Sequence, residues 1–233
     1  MERAAGMHIR AYSPSTLLGR PLNDIELKFA KGQLFVAGPM EIPLPRRRVA
    51  IVGSREASAE SLADAEAIVK ALTKGGVIIV SGLAKGIDSA AHRTAIKSGG
   101  RTIAVLGTPL NRTYPRENTE LQDEIIKHHL AISQYEIGSV VRPSNFILRN
   151  RTMALIADAS VIVQAGESSG SLSQGYEALR LGRPLFIWKS LLESSLKWPK
   201  EMVKYGAMKL SDPNELFENL PSSKSLVEIK SVS

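Results

Sequence analysis

From Arg48 onward the chain alternates short, wholly apolar runs with longer segments whose apolar residues recur at three and four positions, a pattern that predicts β-α-β units on a parallel sheet. Val49-Ala-Ile-Val52 reads as a buried strand closed by Gly53-Ser54-Arg55. Ser58 or Ser61 then caps a helix with Leu62, Ala65, Val69 and Leu72 on one face, and Gly75-Gly76 ends it. The motif repeats as a strand at Val77 to Val80, a helix from about Asp88 to Ser98 and a strand at Thr102 to Leu106. A long loop, Gly107 to Asn118, leads to a polar helix from Thr119 to His129 and a short strand at Leu130 to Ser133. A further loop spans Gly138 to Asn145, followed by a helix from Phe146 to Ala157 and a strand from Ser160 to Gln164. The loop Gly166 to Ser171, a helix from Leu172 to Leu181 and a strand at Pro184 to Trp188 close the series. About six strands joined by right-handed crossovers give the expected fold class: α/β, a doubly wound, mostly parallel three-layer sheet.

The flanks differ in character. Residues 1–45, with Leu34 to Ala37 and a short helix around Asn23 to Phe29, are expected to form a small N-terminal cap or edge extension to a core at 46–220. Residues 190–220 predict two short helices around a strand at Ala207 to Leu210, and the Ser- and Lys-rich stretch 221–233 predicts a disordered tail.

Composition narrows the chemistry. The 233 residues contain no cysteine, which removes disulfides, thiolate zinc sites, iron–sulfur clusters and a cysteine nucleophile together. The sequence shows neither a secretory leader pattern nor an apolar run of about 18 residues, so a cytoplasmic protein with no membrane partner is expected. Thirty Lys plus Arg against 23 Asp plus Glu give a formal charge of +7 and a pI near 9.7, which favours an anionic partner. The placement of charge is more telling than its sum. Arg46, Arg47, Arg48 and Arg55 fall in one acid-free segment, and Arg142, Arg149 and Arg151 in another.

In a doubly wound sheet, ligands bind at the carboxyl ends of the strands, and that is where the glycine loops lie. Gly53-Ser54-Arg55, Ser81-Gly82 through Gly86, Gly107 and Ser168 through Ser171 each follow a strand, so their N–H groups and the adjoining helix ends predict a phosphate-binding crevice with Arg55, Arg149 and Arg151. No loop matches a Walker A sequence or a clean G-x-G-x-x-G, which disfavours ATP hydrolysis and ordinary NAD binding; no cofactor is expected. Metal chemistry is equally thin, because His128 and His129 diverge by about 100° on a helix and His8 and His92 lack partners at ligand spacing. Glu117, Glu120, Asp123 and Glu124 read as a solvated helix face. Asp88 and His92, four apart, form either a hydrogen-bonded pair or a helix cap beside a core histidine, and Glu177 falls in the second turn after the Ser168 to Ser171 loop.

These motifs together resemble a known family. Val49-Ala-Ile-Val-Gly-Ser-Arg55, Ser81-Gly-Leu-Ala-Lys-Gly-Ile-Asp-Ser-Ala-Ala-His92, Gly99 to Gly107, Tyr114-Pro115, Phe146 with Arg149-Asn150-Arg151, and Ser169-Gly-Ser-Leu172 look like the successive motifs of the DNA-processing protein A family, DprA/Smf, over about Thr16 to Leu220. The resemblance implies an extended Rossmann-like core without established catalytic activity. Such a core binds single-stranded DNA, often as a homodimer, and passes it to a RecA-type recombinase in natural transformation or recombination. It also implies that Arg55 contacts phosphate, that Phe146 stacks on a base, and that Arg149 and Arg151 line the same pocket. Gly53, Ser54, Ser81, Gly82, Gly86, Arg142, Asn150, Ser169, Gly170 and Ser171 complete the implied DNA- and phosphate-binding set. A rival reading comes from the wider superfamily, which includes nucleotide sensors and phosphoribohydrolases that cleave nucleoside monophosphates. There Glu177 would act with Arg149 or Arg151, although the Pro-Gly-Gly-x-Gly-Thr-x-x-Glu pattern of those enzymes is absent.

Overall fold

A computed structural model describes residues 7–30 and 32–221; the expected tail, apart from Pro221, lies outside the described residues. The strands are β1 (Ile9–Tyr12), β2 (Leu34–Ala37), β3 (Arg48–Gly53), β4 (Ile78–Ser81), β5 (Thr102–Leu106), β6 (Leu130–Ser133), β7 (Ala159–Gln164), β8 (Leu185–Trp188) and β9 (Met208–Leu210). They form one sheet in the order β1-β2-β6-β5-β4-β3-β7-β8-β9. From β3 the chain winds outward through β4, β5 and β6, all parallel, then returns to the other side of β3 and winds outward again through β7, β8 and β9. That reversal at β3 and β7 opens a crevice at the carboxyl ends of the strands. The fold is α/β, doubly wound and mostly parallel, with one addition to the expected six-strand core. β1 and β2 form an antiparallel ribbon on β6, so Leu34 to Ala37 is a full strand of the sheet.

The strand runs are continuously apolar because both sheet faces are covered. Along β3, Val49 and Ile51 enter the core on one face, packed by Ala65, Val69 and Leu72 of α3 (Ala59–Lys74) and by Ile87 and Ala91 of α4 (Ile87–Lys97). Ala50 and Val52 point to the other face, toward Met153 and Ile156 of α6 (Pro143–Ile156). This period of two holds the register, since a one-residue slip would exchange the two cores. Each fully buried Ile or Leu contributes about 1.5–3 kcal/mol. Leu121 and Ile125 of α5 (Thr119–His128) close a smaller core with Ala104 and Leu106.

Two helix starts differ from expectation, both because of capping chemistry. α6 begins at Pro143 rather than Phe146, proline being preset for the first helical position. α7 (Gly170–Arg180) begins two residues early, with the Ser169 side chain accepting from the Ser171 N–H as N-cap. Among the described residues no helix is long and apolar enough to cross a membrane.

The Asp88 and His92 alternatives are resolved by geometry: the two do not pair. Asp88 accepts from the N–H groups of Gly82 and Ala84. His92 is wholly buried, with Nδ1 2.7 Å from Thr102 Oγ1, whose hydroxyl donates in turn to the Ile79 carbonyl. That chain places the proton on Nδ1 and leaves buried Nε2 without a partner. Burial, aided by His129, pushes His92 down to about 3. A base depressed in the folded state takes up its proton on unfolding, so stability falls as pH drops below the unfolded value of about 6.5. The slope is about 1.4 kcal/mol per pH unit for one site, and His129, also lowered by burial, adds to it. Urea unfolding at pH 7.5, 6.5 and 5.5 is expected to show this decline, and His92→Asn to flatten it. A flat profile in the parent protein would refute the buried neutral histidine.

Candidate functional site

The crevice at the β3 and β7 carboxyl ends is a cleft of about 720 Å³. Its floor and walls come from the loop after β3 (Gly53, Ser54, Arg55, Glu56), from Ala84 and Asp88, from Tyr114, from the first half of α6, and from Gly166, the Ser168 to Ser171 loop and Gln174. The loop after β3 is held at both ends. The Ser171 hydroxyl donates to the Gly53 carbonyl at 2.9 Å, and the Ile87 N–H donates to the Ser54 carbonyl at 3.2 Å. Gly86 has φ +77°, and a Cβ there would strike Ser54 O, so only glycine lets the two loops meet. Arg55 projects from this fixed turn, exposed and without an ion pair among the described residues.

Two helix N-termini face the cleft, and neither has an acid in its first turn. Arg142, at the N-cap of α6, is exposed, and Ser169 is the N-cap of α7. Uncompensated helix ends and two exposed arginines make the mouth electropositive. Two acids line the cleft. Glu56 is exposed on the loop, and Asp88 is buried, its carboxyl raised by desolvation despite the field of Arg149. The same cleft also carries an aromatic face. Phe146 and Tyr114 rings lie 5.1 Å apart at 48°, with Tyr114 54% exposed. Gly107 lies under Phe146, where a Cβ would come within 2.6 Å of the ring. Phe146 is therefore a half-exposed wall of the cleft and not a core residue.

Arg149 lines the cleft but is committed elsewhere. It is buried, and its Nη1 donates to the carbonyls of Gly82 and Val105 while Nε donates to Asn150 Oδ1. The Asn150 amide continues the chain to the Gly170 carbonyl at 3.1 Å, so the two residues tie α6 to the β4 and β5 ends and to the α7 start. They position the cleft walls. Ser81 and Gly82 likewise sit beneath the cleft: the Ser81 hydroxyl donates to the Ile51 carbonyl at 2.6 Å, and Gly82 offers its carbonyl to Arg149. A Cβ on Gly82 would collide with the Arg149 guanidinium.

Arg151 does not share the pocket, contrary to the expectation that it and Arg149 line one site. Residues two apart on a helix point about 200° apart. Arg151 lies on the outer side of α6, paired with Glu177 Oε1 at 3.2 Å and 5.8 Å from the centre of the Phe29 ring. Glu177 is buried beneath Arg151 and Arg180 and does not line the cleft. The rival reading would set Glu177 beside the phosphate loop with an arginine; here Glu177 is paired with Arg151 and Arg180 outside the cleft lining. Tyr114 joins the cleft without any role foreshadowed by the motifs; its place in the long loop Gly107 to Asn118, after β5, is the signal that points to it.

The model of one family, described as DNA recombination-mediator protein A, matches residues 21–221. The chain is 35% identical over 189 residues to the DNA processing protein DprA of Bacillus subtilis, covering 81% of this chain and 64% of that protein. It is 38% identical to the Streptococcus pneumoniae DprA over 80% of this chain and 66% of the relative. Thus it spans about two thirds of the length of these relatives. In three dimensions it superposes on DNA processing protein A of Helicobacter pylori, described for its unique single-stranded DNA binding mode. That match has a TM-score of 0.76 at 25% identity and covers 95% of this chain and all of the other.

Proposed function

The chain belongs to the DNA recombination-mediator protein A family, and on that footing we propose that its cleft binds single-stranded DNA. Phosphates run past Arg55, Arg142 and the α6 and α7 starts, and a base stacks on Phe146 beside Tyr114. The observation that carries this reading is the Tyr114–Phe146 ring pair lining the same cleft as an exposed arginine that has no ion pair among the described residues. A basic track with a stacking platform holds single strands with little regard to sequence, and each stacked base is worth about 1–3 kcal/mol. A duplex keeps its bases inside the stack and cannot use the platform. Family membership supports the finer parts of the proposal: delivery of the bound strand to a RecA-type recombinase, pairing as a homodimer, and a place in recombination or natural transformation.

The test is fluorescence anisotropy with labelled oligo-dT and the matching duplex at several salt concentrations. Arg55→Ala is expected to weaken single-strand binding and to reduce the salt slope by about 0.7, the value for one phosphate contact on a single strand. Phe146→Ala is expected to weaken it by about 1–3 kcal/mol with the slope unchanged. Equal affinity for duplex, or two variants that bind like the parent, would place the DNA elsewhere.

A further inference from the structure

The two basic segments lie at opposite ends of the sheet. Arg55 and Arg142 sit at the carboxyl ends, whereas Arg46 and Arg48 sit where β3 begins, about 20 Å away along the strand. At that far end is a second cavity of about 360 Å³. It is lined by Arg20, Arg46, Arg48 and Arg183 against two carboxylates, Glu26 and Asp158. Both carboxylates are already engaged. Asp158 accepts from the Arg48 backbone N–H and from its guanidinium, each at 2.9 Å. Glu26 is fully buried and accepts from both Nη atoms of Arg20, at 2.7 and 2.6 Å, from Arg183 and from the Asn23 N–H.

Four guanidinium groups and two carboxylates leave two positive charges in excess. The free donors are identifiable. Arg46 is exposed and has no ion pair among the described residues, and Arg183 spends Nη2 on Glu26 while its Nη1 has no hydrogen-bond partner among the described residues. We infer that this cavity is a second anion site that takes a phosphate monoester between Arg46 and Arg183. A monoester carries nearly two negative charges at neutral pH and offers three acceptor oxygens, which matches the excess charge and the fork geometry of the two arginines. An internal phosphodiester carries one. The ligand is therefore a free phosphate or the terminal phosphate of a nucleic acid strand.

Isothermal titration with inorganic phosphate on the whole protein tests the site directly. Saturable binding is expected, weakened about tenfold or more in Arg46→Glu; in Arg55→Ala, which removes the cleft's own phosphate contact, the component that Arg46→Glu weakens is expected to remain. Arg183→Lys, which keeps a charge beside Glu26 but loses the two-pronged guanidinium and its Nη1 donor, is expected to weaken it as well. Absence of saturable binding overturns the inference, as does binding that Arg55→Ala abolishes and Arg46→Glu leaves intact. Oligo-dT with and without a 5′-phosphate then separates the sources. An affinity gain from the 5′-phosphate that Arg46→Glu removes identifies a strand end, and no gain identifies a small free phosphate. Because the phosphate titration needs no DNA, failure of the single-strand reading and failure of this site are independent results.

Discussion

Arg149→Met is expected to destabilise the protein by about 3–5 kcal/mol, measured by urea or guanidinium unfolding at neutral pH. Methionine keeps the apolar stem but removes a buried cation on which three acceptors depend. The Gly82 and Val105 carbonyls lose their donor, and Asn150 loses the bond that fixes its amide toward Gly170. Asp88, buried and raised by desolvation, also loses the positive field that offsets its burial. Asp88→Asn in the same chain is expected to recover part of the loss, so a double-mutant cycle should give a favourable coupling. A loss below about 1 kcal/mol, together with a salt slope for DNA lowered by about 0.7, would make Arg149 a phosphate ligand and not the bolt described above.

How far the sequence announces such roles depends on whether the partners are close in the chain. The β-α-β order is legible because strands covered on both faces must be continuously apolar, as at Val49 to Val52 and Leu130 to Ile132. β1 is not, since Ile9 to Tyr12 is an edge strand of intermediate exposure with an arginine inside it. The cleft was legible from glycine loops that follow strands. Which arginines enter it was partly legible too, because Phe146, Arg149, Asn150 and Met153, all of which line the cleft, are spaced at three, four and seven on one helix face. Arg151 is off that face. That Arg149 is consumed by backbone carbonyls was not legible, because its acceptors stand 67 and 44 residues away.

The run Arg46-Arg47-Arg48 makes the same point more sharply, and it carries the second large expected effect. Arg48→Met should destabilise by about 3–5 kcal/mol, while Arg46→Ala should stay within about 0.5 kcal/mol. Arg48 is 5% exposed and bonds the Leu44, Pro45 and Ile156 carbonyls as well as Asp158. It fastens the N-terminal segment and the end of α6 to the start of β3, and its removal leaves Asp158 without its cation, held only by the backbone N–H at position 48, and three carbonyls without this donor. Arg47, between them, adopts φ 64° and donates to the Pro221 carbonyl. Three identical residues thus meet solvent, the chain's last described residue and the core in turn, because the left-handed backbone at Arg47 turns the chain just before β3 begins at Arg48. Chemical unfolding of both variants decides the matter. Equal, small losses would mean that Arg48 is a surface cation and that the segment acts as one basic patch. A large loss at Arg48 alone leaves Arg46 as the member of the run free to meet an anion.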